Sequence, residues 1–257
     1  MSIACQKKRP LFTRFIFHPG IYFLLALLSS GIPGSAQALK KTSLQPEPAL
    51  LKTLASSLQG SVSQYKLLMQ QLPAGQLPRT FEKGQLATVS PYAWISGFYP
   101  GTLLYLYEYS RDPVIKQEAF NRLALLEKLK TVTANHDLGF MMYCSYGNAW
   151  RLTGNPQYKD ILVRAAQSLA TRFDPRVGCI KSWDQVRSLD GKTMLHFPVI
   201  IDNMMNLELL FWATKVSGDS SFYKIAVTHA DTTMKNHFRP DNSSYHVIDY
   251  DPATGAV

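Results

Sequence analysis

An all-α fold, a toroid of helical hairpins, is predicted by three observations: a repeat at a shift of 65 residues, helical spacing of apolar residues through most of the chain after residue 48, and first helices that are apolar nearly all round. At that shift Asp137 falls on Asp202, Tyr158 on Tyr223, Ala165 on Ala230, Phe173 on Phe238 and Asp184 on Asp249. Each copy runs in the same order: an Asp, a helical run, a Gly turn (Thr153-Gly154-Asn155 or Ser217-Gly218-Asp219), a second helical run, then a Phe and a turn-rich strand-like stretch. A helix-turn-helix unit cannot bury its apolar face alone, so such copies close on one another. A weaker copy opens at Trp94-Ile95-Ser96-Gly97-Phe98 and ends at Ser110-Arg111-Asp112-Pro113. Trp94, Asp137 and Asp202 then begin the first helix of their units, and equivalent positions emerge on one rim.

Residues 1–38 are set apart. Lys7, Lys8, Arg9 and Arg14 precede an apolar run from Ile21 to Leu28, and Ser35-Ala36-Gln37-Ala38 supplies small residues for cleavage. That is the pattern of a secretory signal peptide, which predicts a secreted or periplasmic protein with no membrane attachment after cleavage. The run is short of the roughly 20 residues of a membrane span. Residues 39–48 read as a linker. A helix follows from about Ala49 to Leu72, with Leu50, Leu51, Leu54, Leu58, Val62, Tyr65, Leu68 and Met69 at helical spacing. After a polar stretch, a helix at Trp94 is expected to break early at Pro100-Gly101. The next runs from about Asp112 to Lys130, acidic at its start and basic at its end. The last two pairs span about Asp137–Leu152 with Pro156–Arg172, and Asp202–Val216 with Ser220–Asn236. Hairpins near Gly178–Trp183 and Tyr245–Asp249 are expected as short rim decorations. Phe140, Met141, Met142, Tyr143, Tyr146 and Trp150 in one first helix, and Met204, Met205, Leu207, Leu209, Leu210, Phe211 and Trp212 in the other, predict burial on all sides. The second helices carry a polar face for solvent, with Lys159, Asp160, Arg164, Lys224 and Asp231.

Removal of residues 1–38 leaves 23 Lys/Arg against 18 Asp/Glu, a net of +5. A mildly basic surface suits a polyanion or acidic sugar, and no basic run interleaved with aromatics points to nucleic acid. Cys144 and Cys179 read as two buried free thiols, with a single bridge as the alternative. No zinc motif, phosphate loop, nucleophile elbow or dinucleotide fingerprint is present, and neither metal nor cofactor is expected.

Asp202, in Phe197-Pro198-Val199-Ile200-Ile201-Asp202-Asn203-Met204-Met205-Asn206, has two readings. Among Ile, Val and Met a carboxyl loses hydration and can hold a proton near neutral pH, as a general acid must. Before a helix it can equally serve as an N-cap. Asp137, in Asn135-His136-Asp137-Leu138-Gly139-Phe140, shares the ambiguity, with His136 adjacent and Gly139 open to close approach by a ligand. Two carboxylates across one cleft suit glycoside chemistry. Trp94 offers a plate for a sugar ring or a core aromatic, and His246 and His237 sit on the last hairpin as surface or locally bonded histidines.

These segments resemble the unsaturated glucuronyl hydrolases of glycoside hydrolase family 88: Trp94-x-x-Gly97-Phe98-Tyr99-Pro100-Gly101, Asn135-His136-Asp137-Leu138-Gly139-Phe140-Met141, Ser182-Trp183-Asp184, Ile201-Asp202-Asn203-Met204-Met205-Asn206 and Tyr245-His246-Val247-Ile248-Asp249-Tyr250-Asp251. The resemblance implies an (α/α)6 barrel, incomplete in this chain, of which 49–257 would be the N-terminal part. It also implies removal of a Δ4,5-unsaturated glucuronic acid from the non-reducing end of lyase-generated glycosaminoglycan-type oligosaccharides, by hydration of the vinyl ether. Asp202 would be the acid/base and Asp137 the second carboxylate, while Trp94, His136 and His246 would contact the sugar. Rival readings are an unsaturated rhamnogalacturonyl hydrolase and a non-catalytic glycan-binding half-toroid.

Overall fold

In the computed structural model, which describes residues 45–257, the first periodic segment forms α1 (Pro48–Gln71). The expected signal peptide and the linker as far as residue 44 lie outside the described residues. Only the second half of α1 reaches the core, through Val62 with Tyr65, Leu68 and Met69 behind it, while Leu50, Leu51 and Leu54 stay exposed. Arg122 holds the end of α1, donating to the carbonyls of Leu72, Pro73 and Gln76.

The polar stretch after α1 is a hairpin that the periodicity did not announce, β1 (Leu77–Glu82) with β2 (Gln85–Val89). Its two-residue turn, Lys83-Gly84, has positive φ at both positions (52° and 79°), the geometry that matches the twist of paired strands. A 3₁₀ turn, Trp94–Gly97, then leads into α2 (Phe98–Ser110). The expected break at Pro100-Gly101 does not occur. Pro100 falls in the first turn of α2, where its missing N–H deprives the helix of nothing. Gly101 serves packing, since a Cβ there would lie 2.4 Å from the Cys144 carbonyl oxygen.

The helix expected over Asp112–Lys130 divides into α3 (Pro113–Ala124) and a 3₁₀ segment, Glu127–Thr131. Asp112 caps α3 by accepting from the amides of Val114 and Ile115. A π-helical stretch, Gly139–Gly147, runs directly into α4 (Asn148–Thr153), and α5 (Pro156–Ala170) follows after Gly154 in the left-handed region. The other repeat has α6 (Asn203–Ser217), Gly218 in the same role, and α7 (Ser220–His237). Asn155 and Asp219 occupy equivalent N-caps, accepting from Gln157 and Ser221. The π-helical stretch packs against α2 on one side and α6 on the other, and α3, α5 and α7 back them.

Burial departs from expectation on α6. Met205 and Phe211 are exposed on one edge of that helix, whereas the π-helical stretch is enclosed almost throughout. Cys144 is only half-buried and Cys179 fully so, both as free thiols.

The strand-like stretches do more than decorate the rim. β3 (Phe173–Asp174) and β4 (Cys179–Ile180) form a small hairpin, but β6 (Val247–Asp249) pairs with β5 (Pro198–Ile200) from the previous repeat. Val177, Cys179, Phe197, Val199, Ile248 and Tyr250 bury a second core there. The β5–β6 ladder ends beside Asp202, because the Ile201 amide donates to the His246 carbonyl at 2.9 Å.

Among the described residues, no helix is long and apolar enough to cross a membrane.

Candidate active site

The chain reaches the site through backbone contacts that only glycine allows. A Cβ on Gly97 would lie 2.3 Å from the Phe140 carbonyl oxygen, which presses the Trp94 turn onto the start of the π-helical stretch. A Cβ on Gly139 would lie 2.5 Å from the Asn206 Cα. The sequence suggested that Gly139 admits a ligand; what it admits is α6. The Asn206 side chain seals this crossing, its Oδ1 accepting from the Phe140 amide at 3.0 Å. The helix starts that carry Asp137 and Asp202 are thereby brought together.

His136 stands between them. Its Nδ1 lies 2.8 Å from the Ser182 carbonyl oxygen, a pure acceptor, so Nδ1 carries the hydrogen. Nε2 then faces both carboxyls, 3.3 Å from Asp137 Oδ1 and 3.9 Å from Asp202 Oδ1. The ring is buried, and Trp183 packs on it edge-to-face at 5.3 Å between centroids.

The cap reading of Asp202 does not survive the geometry. The residue precedes α6 with helical backbone (φ −70°, ψ −9°), and its carboxylate takes no bond from the first turn. Its Oδ1 is buried without a hydrogen-bond partner. Asp137 does not cap either: Asn135 makes the local turn, its Oδ1 accepting from the Asp137 amide at 2.8 Å, and the helix start that follows has no side-chain cap.

Burial sets the proton affinities. It pushes the Asp137 carboxyl up to about 6, with the Asp202 charge adding to the rise and the Asn206 amide opposing it. Burial raises Asp202 too, with His246 pulling the other way. His136 is pushed down to about 4 by burial, against the bond to Ser182 and with help from the Arg172 charge. A neutral His136 offers Nε2 as an acceptor, so a protonated Asp137 has a partner for its O–H.

The structure thus brings together His136, Asp137 and Asp202, three of the five residues singled out in the sequence. His246 adjoins them, exposed, at the end of β6. Trp94 flanks the site at one remove: it is 53% exposed and packs edge-on against Phe98 and Phe140 at 5.8 and 6.3 Å. His237 follows the locally bonded reading and not the surface one: it is fully buried at the end of α7 with His229 and Thr233 on the same face, and its Nδ1 lies 3.4 Å from the Tyr245 carbonyl oxygen. Ser182, Asn206 and Arg172 received no role from the sequence; a carbonyl anchor and an amide at a helix crossing leave no periodic or compositional mark. Among the described residues no cluster of three or more His, Cys, Asp or Glu is arranged to hold a metal.

No family model matches the chain. Curated relatives do. An unsaturated glucuronyl hydrolase of Formosa agariphila is 47% identical over 165 residues, 64% of this chain and 40% of that protein. An unsaturated chondroitin disaccharide hydrolase of Streptococcus agalactiae is 32% identical over a similar span. A solved structure, of an unsaturated glucuronyl hydrolase specific for heparin, superposes with a TM-score of 0.73 at 45% identity, covering 79% of this chain and 53% of that one. Over the matched segment the chain is similar to unsaturated glucuronyl hydrolases in both sequence and fold. Its all-α architecture is the α/α barrel of those enzymes. The matched segment spans about 40% of the length of those two curated relatives.

Proposed function

We propose that this protein acts on oligosaccharides ending in a Δ4,5-unsaturated glucuronic acid and removes that residue by hydrating its double bond. One observation carries the reading: two carboxyl groups, neither serving as a helix cap, face the same nitrogen of one buried imidazole. Burial keeps a proton available on such a pair near neutral pH, which is what protonation of an enol ether requires. The relatives' names, glucuronyl and chondroitin disaccharide hydrolases, support the substrate class.

In this reading Asp202, the more accessible carboxyl, delivers its proton to C4, and the ring oxygen shares the positive charge that develops at C5. Water adds at C5 and returns a proton to the Asp202 carboxylate, so the step consumes one water and regenerates the acid. The C5 hemiketal opens, and the hemiacetal left at C1 releases the next sugar. Asp137, facing the same His136 nitrogen as Asp202, sets the charge under the double bond. Trp94 supplies a face for the sugar ring and His246 a polar contact above Asp202.

The test follows the ultraviolet absorbance of the conjugated C=C with lyase-generated disaccharides as substrate. Asp202→Asn is expected to abolish the absorbance decay while disaccharide binding survives within a few-fold. Persistent decay in that variant would remove Asp202 from the chemistry, and no decay with the parent chain would defeat the reading itself.

A further inference from the structure

We propose that Arg172 is a positioning residue for this site, its guanidinium fixing both backbone segments that hold the His136 ring. This rests on the reading above for its catalytic consequence, though not for its structural one. Arg172 lies just past α5 with its side chain only 5% exposed. Its Nη1 donates to the Thr133 carbonyl at 2.6 Å, on the segment that enters Asn135-His136-Asp137. Its Nε donates to the Lys181 carbonyl at 2.7 Å, on the segment whose next residue, Ser182, anchors His136 Nδ1. The backbone reinforces this second arm, since the Lys181 amide donates to the Arg172 carbonyl at 2.9 Å.

The same second segment reaches Asp202. The Ser182 hydroxyl accepts from the Ile200 amide at 2.9 Å, two residues before that aspartate, and Trp183 supplies the edge contact to the ring. A planar fork with fixed donor directions can serve two carbonyls and a carboxylate at once; an ammonium cannot hold that geometry. The third arm ends at the surface, where Nη2 meets Asp184 Oδ1 at 3.1 Å. Asp184 is well exposed, so its carboxylate offsets the buried cation from the solvent side.

Charge gives the arrangement a signature. The groups acting on His136 are Asp137 and Asp202 in front of Nε2, Arg172 behind, and the buried His229 from α7. Arg172 disfavours a proton on the ring, and Asp184 moderates that effect. Removing the one and removing the other should therefore move His136 in opposite directions, which loosened packing would not do.

The experiment titrates the His136 ring by NMR in the parent chain, in Arg172→Gln and in Asp184→Asn, alongside kcat and KM on an unsaturated disaccharide. The expected results are a raised His136 pKa in Arg172→Gln and a lowered one in Asp184→Asn. With Arg172→Gln, kcat is expected to fall on the order of 10²-fold, from misplacement of the acid pair, while KM stays within a few-fold. Shifts in the same direction in both variants, or none in either, would overturn the proposal. Asp184→Asn, at the exposed end, decides the matter by itself if Arg172→Gln does not fold. A parent chain inactive on every unsaturated uronide would defeat the functional reading alone, because the titration needs no turnover.

Discussion

His136 Nε2 lies 3.3 Å from Asp137 Oδ1, and because Nδ1–H is committed to the Ser182 carbonyl, a neutral His136 can offer Asp137 only a lone pair. Two acceptors at that distance repel unless one carries a proton. Burial answers which: it raises Asp137 to about 6 and lowers His136 to about 4, so between those values the carboxyl is protonated and the imidazole is not. Asp202, 3.9 Å from the same nitrogen, completes a group of three whose proton inventory changes within a narrow pH range.

Activity should therefore peak on the acid side of neutrality. If the productive state holds one proton on the Asp137–Asp202 pair, kcat/KM falls as pH rises through about 6, where that proton leaves. A second limb is expected near 4, where His136 takes a proton on Nε2 and loses the lone pair that accepts from the Asp137 carboxyl. The profile is read from the absorbance decay at subsaturating disaccharide between pH 3.5 and 8, a window set by those two values. A flat response between pH 5 and 8 would separate the chemistry from this pair.

Stability should carry a mark of the same carboxyl, lost with rising pH as the activity is. A group whose folded pKa is raised favours the folded state while protonated, and that advantage is lost as pH climbs from the unfolded value toward the folded one. For Asp137 the window runs from 3.8 to about 6 and amounts to at most about 3 kcal/mol. Asp137→Asn is neutral throughout, and its amide can donate to His136 Nε2. The variant is expected to match the parent chain at pH 4 and to exceed it by up to about 3 kcal/mol at pH 8, in urea unfolding monitored by circular dichroism. Equal stability at both pH values would mean that Asp137 is not held against its charge.

Much of this architecture could be read from residue types. The 65-residue shift found the paired helices and placed Asp137 and Asp202 at equivalent helix starts, because an array of hairpins repeats both its core spacing and its turn glycines. What could not be read depends on partners distant in sequence. The β5–β6 ladder joins Pro198–Ile200 to Val247–Asp249, and neither three-residue strand is long enough to show alternation. It is nevertheless what sets His246 beside Asp202. The β1–β2 hairpin was hidden because its turn uses Lys83 at positive φ, where Asn or Asp is the usual signal. Gly139 carried a visible signal with the wrong partner attached, since a missing Cβ does not say whether ligand or helix will occupy the space.

Ala at position 139 would place its Cβ 2.5 Å from the Asn206 Cα and 2.7 Å from Asn206 Oδ1, below any tolerated contact, with backbone on the other side that cannot rotate away. The helix starts must separate, and overpacking of this kind costs about 1–3 kcal/mol. Separation also breaks the bond from the Phe140 amide to Asn206 Oδ1, and it draws Asp202 away from the imidazole shared with Asp137. Gly139→Ala is therefore expected to lower Tm by several degrees and to lower kcat by far more than that loss of folded protein explains. Gly154→Ala is the control for a generic glycine cost, because its left-handed backbone (φ 66°) is strained by any side chain while nothing lies within 4 Å of the added Cβ. It should lower Tm and leave kcat unchanged. If Gly139→Ala lost only stability, as the control does, the α6 crossing would not be what fixes the distance between the two carboxyls.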